Sequence, residues 1–199
     1  MSVCQSKGIN STFKVVPNIT LVRVVYELVF LKKILMVLIG LGSNKGDSVG
    51  IIKEAMLRLT VFAEGELKES SLWVTSPVDC PADSPDFINA VVGFAPKKNM
   101  TPELLLESLK AIERDYGRDP KAIRNAPRAL DLDLLIFNDE IRQQTNFVLP
   151  HPRAEKRKFV LSPAAEVYPE GVWPGKSETI QELLNGLRSS ESVERLIYA

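Results

Sequence analysis

The apolar positions of this chain change period several times, and each change marks an element. From Leu35 to Leu41 they run almost unbroken, which suits a strand buried on both faces. Val49, Ile52, Met56, Leu59 and Phe62 then recur at helical spacing, after a "GSNKGDS" turn whose Asp47 or Ser48 can cap the helix. Residues 68–76 and 87–95 are rich in β-branched and aromatic side chains and read as strands. Between them lies "PVDCPADSPD", whose prolines and aspartates forbid continued strand and make a long loop of the kind that serves as a lid or binding element. A second helix is punctuated by Thr101 as cap, Pro102 at its first position, an apolar face of Leu105, Leu109, Ile112 and Tyr116, and Gly117 as stop. Residues 129–137 give a further strand. "TIQE" at 179–182 is a capping box ahead of Leu183, Leu184 and Leu187, and so opens a third helix. The order is βαββαβ with additions, the two central strands forming a hairpin, which predicts an α+β protein: an antiparallel sheet with helices packed on it.

Composition narrows the function classes. A chain of 199 residues with 45% hydrophobic residues is the size of one domain, and its formal net charge of zero offers no global field to draw it onto nucleic acid or an anionic membrane. Cys4 and Cys80 are too few for a disulfide framework, which fits a reducing cytoplasm. The greasy stretch from 19 to 41 is interrupted by Arg23, Glu27, Lys32 and Lys33, and its longest clean run, Ile34 to Leu41, is far short of the roughly 20 residues needed to span a bilayer. No membrane association is expected. Residues 1–35 are expected to be an extension, poorly packed or upstream of the true start, and residues 36–199 the domain.

The strand at 129–137 carries the chemistry. Alternation places Leu130, Leu132, Leu134 and Ile136 on one face and Asp131, Asp133, Leu135 and Phe137 on the other. Two carboxylates on one strand face lie only about 6.6 Å apart at their Cα atoms, and in a half-dry place they repel unless a cation answers them. A hard ion that keeps some waters and shares its remaining shell with phosphates, magnesium above all, suits such an oxygen pair. On its own, a D-x-D more often marks a wet face or structural salt bridges with arginines. Its neighbours change the weighting: Arg114, Arg118, Lys121, Arg124 and Arg128 lie upstream and His151, Arg153, Lys156, Arg157 and Lys158 downstream, in a chain without net charge. Bases flanking a magnesium-type acid pair match a polyphosphate bound through metal.

Rival phosphate motifs fail. "GVWPGKS" at 171–177 is one residue short of a P-loop between its glycines, and Pro174 has no N–H to give. "GLGSNKG" at 40–46 imitates a dinucleotide fingerprint, but the following strands form a hairpin and not a parallel crossover, so a tight strand-to-helix turn is the better reading. A non-catalytic nucleotide- or RNA-binding module remains the alternative, although no strand has the aromatic-rich pattern of an RNA-binding sheet.

Four segments in order, "GSN" after the first strand, "TSPVDCPADSPDFINAVV", "RNAPRALDLDLLIF" and "LPHPRAEKRKFVLSPAAEV", resemble the 6-hydroxymethyl-7,8-dihydropterin pyrophosphokinase family, from about Met36 to the carboxyl end. The resemblance implies a ferredoxin-like fold and transfer of pyrophosphate from ATP to the pterin hydroxymethyl oxygen, with release of AMP, in folate biosynthesis. By motif position the resemblance implies that Asp131 and Asp133 would hold two magnesium ions. On the same resemblance Arg118, Lys121, Arg128, His151 and Arg157 would contact the phosphates or AMP and act in catalysis, while Leu106, Glu113 and Leu134 match positions lining the nucleotide site. The pterin would then lie between Phe87 and Phe159, with Asn89 and the backbone around Thr75, Pro77 and Val78 at its ring edge. A monomer is expected. The sequence departs from the family's R-W-G-P-R run, offering Arg124-Asn125-Ala126-Pro127-Arg128 instead.

Overall fold

The computed structural model describes residues 36–81, 83–119, 123, 125–145 and 147–197. The expectations for residues 1–35 fall outside them. The elements are β1 (Val37–Ser43), α1 (Ser48–Leu59), β2 (Lys68–Glu69), β3 (Trp73–Thr75), β4 (Phe87–Phe94), α2 (Pro102–Asp115), β5 (Asp131–Phe137), β6 (Arg142–Gln144), β7 (Phe147–Leu149), α3 (Lys158–Val167), α4 (Ile180–Gly186) and β8 (Val193–Arg195), with short 3-10 turns at Thr60–Phe62 and Ala154–Lys156. The main sheet runs β5-β1-β4-β3-β8, with β2 also on β4, and all its pairs are antiparallel. This is the ferredoxin-like βαββαβ arrangement, extended by β8 and by a separate β6–β7 hairpin.

The punctuation read from the sequence works as chemistry. Asp47 caps α1 by accepting the Gly50 N–H at 3.0 Å. Thr101 caps α2 with Pro102 at its start, and Gly117 follows its end at φ +79°. Thr179 and Glu182 form the reciprocal capping box of α4. The strand expected over 68–76 is broken in two. Glu69 stands opposite Val92 but Trp73 opposite Asn89, one residue out of register, and Ser70 fills the break: its N–H donates to the Val91 carbonyl and its Oγ accepts the Val91 N–H, both at 2.9 Å. α3 was not foreseen, because it carries Pro163 in its interior and is apolar nearly all round.

The sheet is covered on both faces. On one, Ile52, Met56 and Leu59 of α1 and Leu105, Leu109 and Ile112 of α2 pack on Ile39, Leu41, Val92 and Leu132. Each aliphatic side chain fully buried in this way contributes roughly 1.5–3 kcal/mol. On the other face Leu161, Ala164 and Val167 of α3 pack with Leu38, Val91, Leu135 and Ile136. The expected alternation in β5 therefore holds only to Leu134. Leu38 pairs with Ile136 and Ile39 with Leu134, so Leu135 is an extra residue, a β-bulge that returns Ile136 to the α3 face and Phe137 to the α1/α2 face, the reverse of the simple alternation. Among the described residues no helix is long and apolar enough to cross a membrane.

Candidate active site

The α3 face of the sheet is not filled from edge to edge. In β5, Asp131 stands opposite Gly42 and Asp133 opposite Gly40, and Gly42 stands opposite Asn89 of β4. The two glycines leave β1 without side chains between the acids of β5 and Asn89 and Val91 of β4. A Cβ on Gly42 would lie 3.0 Å from Asn89 Oδ1, 3.7 Å from Phe87 Cδ1 and 3.9 Å from Asp131 Cβ. Above this floor opens a cavity of about 810 Å³, walled by the acids, Phe87, Asn89 and Arg128 on one side and by Arg157 and Phe159 at the start of α3 on the other.

Two guanidiniums grip Asp131: Arg118 reaches its Oδ1 at 2.8 Å and Arg128 its Oδ2 at 2.6 Å. Burial alone would raise the pKa of this carboxyl, but the charges of Arg128, Arg118 and Lys110 hold it below the usual aspartate value. Arg128 also lies over the Phe87 ring at 5.3 Å, and Arg157 over Phe159 at 5.2 Å, so each candidate stacking ring has a cation beside it. Among the described residues the buried Arg128 Nε has no hydrogen-bond partner. Asn89, also buried, donates from Nδ2 to Thr75 Oγ1 at 2.7 Å.

His151 follows the cis Leu149–Pro150 peptide, and its N–H donates to the carbonyl of the bulged Leu135 at 2.9 Å. The irregularity in β5 is thus the anchor that brings the histidine beside Asp133. Burial lowers the His151 pKa below the ordinary value; Asp133 opposes this, and Arg157 and Arg153 add to it. Burial and the neighbouring Arg153 likewise lower Arg157.

A second, smaller cavity of about 290 Å³ lies on the far side of Asp133, between Leu106, Leu134, Phe147 and Val148. Asp133, His151 and Lys110 line both spaces and mark their junction. Thr75, Val78, Phe87, Asn89, Arg118, Arg128, Asp131, Asp133, His151, Arg157 and Phe159 thus line the first cavity, and Leu106 and Leu134 the second. Pro77 lies between the lining residues Ser76 and Val78 without lining the cavity itself. Glu113 lines neither: it is buried, and its Oε1 accepts Lys110 Nζ and the Leu132 N–H, each at 2.7 Å, so it supports the junction from beneath. Lys121 and Arg124 lie outside the described residues.

Sequence reasoning missed Lys110 and Asn44. Leu106, Lys110 and Glu113 recur at four and three residues along α2, one helix face, and that spacing was the available signal for Lys110. Asn44, buried, ties three segments: its Oδ1 accepts the Arg128 N–H at 2.9 Å, its N–H donates to the Arg128 carbonyl at 3.1 Å, and its Nδ2 donates to the Pro85 carbonyl at 3.3 Å. The two long loops also meet, through Asn125 Nδ2 and the Asp79 carbonyl at 2.7 Å.

Among the described residues no group of three or more His, Cys, Asp or Glu side chains could hold a metal ion. Two carboxylates beside an open, arginine-lined cavity still fit magnesium, which takes one or two protein carboxylates and completes its octahedron with water and substrate phosphate.

A family model described as 7,8-dihydro-6-hydroxymethylpterin-pyrophosphokinase (HPPK) matches residues 38–169. The chain belongs to the HPPK family. Among relatives of this HPPK chain, the 2-amino-4-hydroxy-6-hydroxymethyldihydropteridine pyrophosphokinase of Bacillus subtilis is 34% identical over 163 residues, 81% of this chain and 95% of that one. The enzyme of the same name from Synechocystis is 36% identical over 146 residues, 73% of each chain. The folate synthesis bifunctional protein of Arabidopsis thaliana is 35% identical over 131 residues, 66% of this chain but only 26% of that protein. Among solved structures, wild-type Plasmodium falciparum HPPK-DHPS with pteroate shares the fold at a TM-score of 0.59 and 16% identity, over 76% of this chain and 42% of that one. None of these supports the non-catalytic nucleotide- or RNA-binding alternative.

Proposed function

We propose that the two cavities divide the substrates of a pyrophosphokinase between them and that Asp131 and Asp133 stand where the transferred group crosses. As an HPPK, the chain transfers pyrophosphate from ATP to the hydroxymethyl group of 6-hydroxymethyl-7,8-dihydropterin and releases AMP, a step of folate biosynthesis. The apolar second cavity, walled by Leu106 and Leu134, takes the nucleoside, and the junction of Lys110, Asp133 and His151 takes the polyphosphate. The pterin occupies the slot of Phe87, Asn89 and Phe159, where a flat heterocycle gains both stacking and fixed polar groups. The observation that carries this assignment is the position of Asp133, which lines both spaces.

Asp131 and Asp133 would hold two magnesium ions, whose charge neutralises phosphate oxygens when ATP is bound. The protein's own part is positioning and electrostatics. Arg118 and Arg128 occupy Asp131 in this structure; an arriving triphosphate offers them phosphate oxygens of better fork geometry and releases the carboxylate. Arg157 and His151 hold the transferring group from the α3 side. The pterin hydroxyl, fixed by its ring contacts, attacks the β-phosphorus; its O–P bond forms as the bond from the β-phosphorus to the α,β-bridging oxygen breaks, AMP leaves carrying that oxygen, and the hydroxyl proton passes to solvent. In-line placement supplies much of the acceleration in such transfers. Lys121 joins this cationic set by motif position alone. Glu113 acts by holding Lys110 and the β5 backbone.

We propose that the protein acts as a monomer. The sparse cysteines favour the cytoplasm. The test is to incubate the protein with ATP, magnesium and the hydroxymethyl dihydropterin. AMP and pterin pyrophosphate should appear in equal amounts, and only when both substrates are present. AMP formed at the same rate without pterin would refute the assignment.

A further inference from the structure

The amino end of α3 carries two of the residues assigned above, Arg157 at the cap position and Phe159 in the first turn, and it is short of internal support. Arg157 gives no side-chain cap to the first-turn N–H groups, and Pro163 lacks the N–H that would bond the Phe159 carbonyl four residues back. The cap comes from a distant part of the chain. Glu191 Oε2 accepts the Lys158 N–H at 2.7 Å and the Phe159 N–H at 3.2 Å, a carboxylate set where the helix dipole favours negative charge. Glu191 is in turn held by its own N–H, which donates to Ser189 Oγ at 3.1 Å.

The same segment reaches the opposite wall of the slot. β8 pairs with β3, Val193 opposite Thr75, and the Ser76 N–H donates to the Ser192 carbonyl at 3.3 Å. Within three residues, Glu191 to Val193, the chain touches the helix that carries Phe159 and the strand that carries Thr75. Glu191 lies beyond residue 169, where the family match ends.

We propose that Glu191 is a positioning residue for the pterin slot: by capping α3 from the carboxyl-terminal segment, it fixes the backbone of Lys158 and Phe159 and with it the Phe159 ring against the substrate. This rests on the assignment of Phe159 to the pterin, and the experiment separates the two. Steady-state kinetics of the full chain with ATP, magnesium and the dihydropterin are compared for the wild type, Glu191→Ala, Glu191→Gln, Phe159→Ala and the Glu191→Ala/Phe159→Ala pair. Glu191→Ala should raise the pterin KM by about fivefold, the scale of a lost cap, and leave the ATP KM within about twofold. Glu191→Gln keeps an acceptor oxygen and should restore most of the loss. The double variant should bind pterin no worse than Phe159→Ala, because the two act on one contact.

An unchanged pterin KM in Glu191→Ala, when Phe159→Ala raises it, overturns the role of Glu191. So does an equal fall in kcat/KM for both substrates, which marks a purely structural cap. If Phe159→Ala leaves the pterin KM unchanged, the slot assignment itself falls and the proposal with it. Should Glu191→Ala fail to fold, Glu191→Gln and Ser189→Ala decide the matter: a selective rise in pterin KM in Ser189→Ala supports the role, and none in either variant overturns it.

Discussion

Gly42→Ala is the sharpest test of the glycine-floored row. The backbone there is extended and accepts alanine, but the new Cβ would sit 3.0 Å from Asn89 Oδ1, while its distances to Phe87 and Asp131, 3.7 and 3.9 Å, are ordinary contacts. The Asn89 amide must therefore give way by a few tenths of an ångström, and that motion stretches its 2.7 Å bond to Thr75 Oγ1. Weakening one buried neutral hydrogen bond costs about 0.5–1.5 kcal/mol. Replacing glycine by alanine at a compatible position returns about 0.4–1 kcal/mol through the unfolded chain. The two nearly cancel, so the midpoint of urea unfolding should move little. Recognition of the pterin has no such compensation: the methyl shallows the floor, and the displaced amide misses one or two fixed bonds to the ring edge. A loss near 1.4 kcal/mol is tenfold in affinity. The expected outcome is a pterin KM raised about tenfold, an unchanged ATP KM and an unchanged urea midpoint. An unaltered pterin KM, or a rise shared equally by ATP, would refute the reasoning.

Asp131→Ala and Asp133→Ala should both abolish turnover, but only the first should weaken the fold, by about 1.5–3 kcal/mol, since the half-buried Arg128 loses its charged partner while the more exposed Arg118 re-solvates; equal urea midpoints for the two variants would contradict this. His151 has its folded pKa lowered, chiefly by burial, so the folded state resists protonation. Its neutral form therefore supports the fold fully above the unfolded value, near 6.5, and that support drains as pH falls from there toward the folded pKa. Urea unfolding from pH 7.5 to 5 should show His151→Gln losing less stability than the wild type, and parallel curves would be the wrong result. Asn125→Ala removes the bond between the two long loops, an exposed contact worth less than about 1 kcal/mol, so limited proteolysis within residues 77–86 and 117–127 should quicken with global stability unchanged.

The elements that punctuate themselves were legible in the sequence: Thr101-Pro102, Asp47 and the Thr179–Glu182 box each announce a helix by the hydrogen bonds their side chains can make locally. α3 was hidden because nothing local starts it. Its cap, Glu191, lies more than thirty residues away, and Pro163 argues against a helix to any reader of propensity. Asn44 was hidden for the same kind of reason, its partners at Pro85 and Arg128 being set by the fold alone.

The β5 bulge shows why a site can be read while its construction cannot. Leu134, Leu135 and Ile136 are all apolar and both faces of the sheet are covered, so no hydrophobic penalty fixes which of them is skipped in the pairing. What distinguishes Leu135 is its carbonyl, which the bulge turns away from the ladder to accept the N–H of His151. A regular strand would spend that carbonyl on β1 and leave the histidine loop without its anchor. The irregularity therefore costs β5 one ladder position and in return holds His151 beside Asp133, the pairing on which the junction of the two cavities depends.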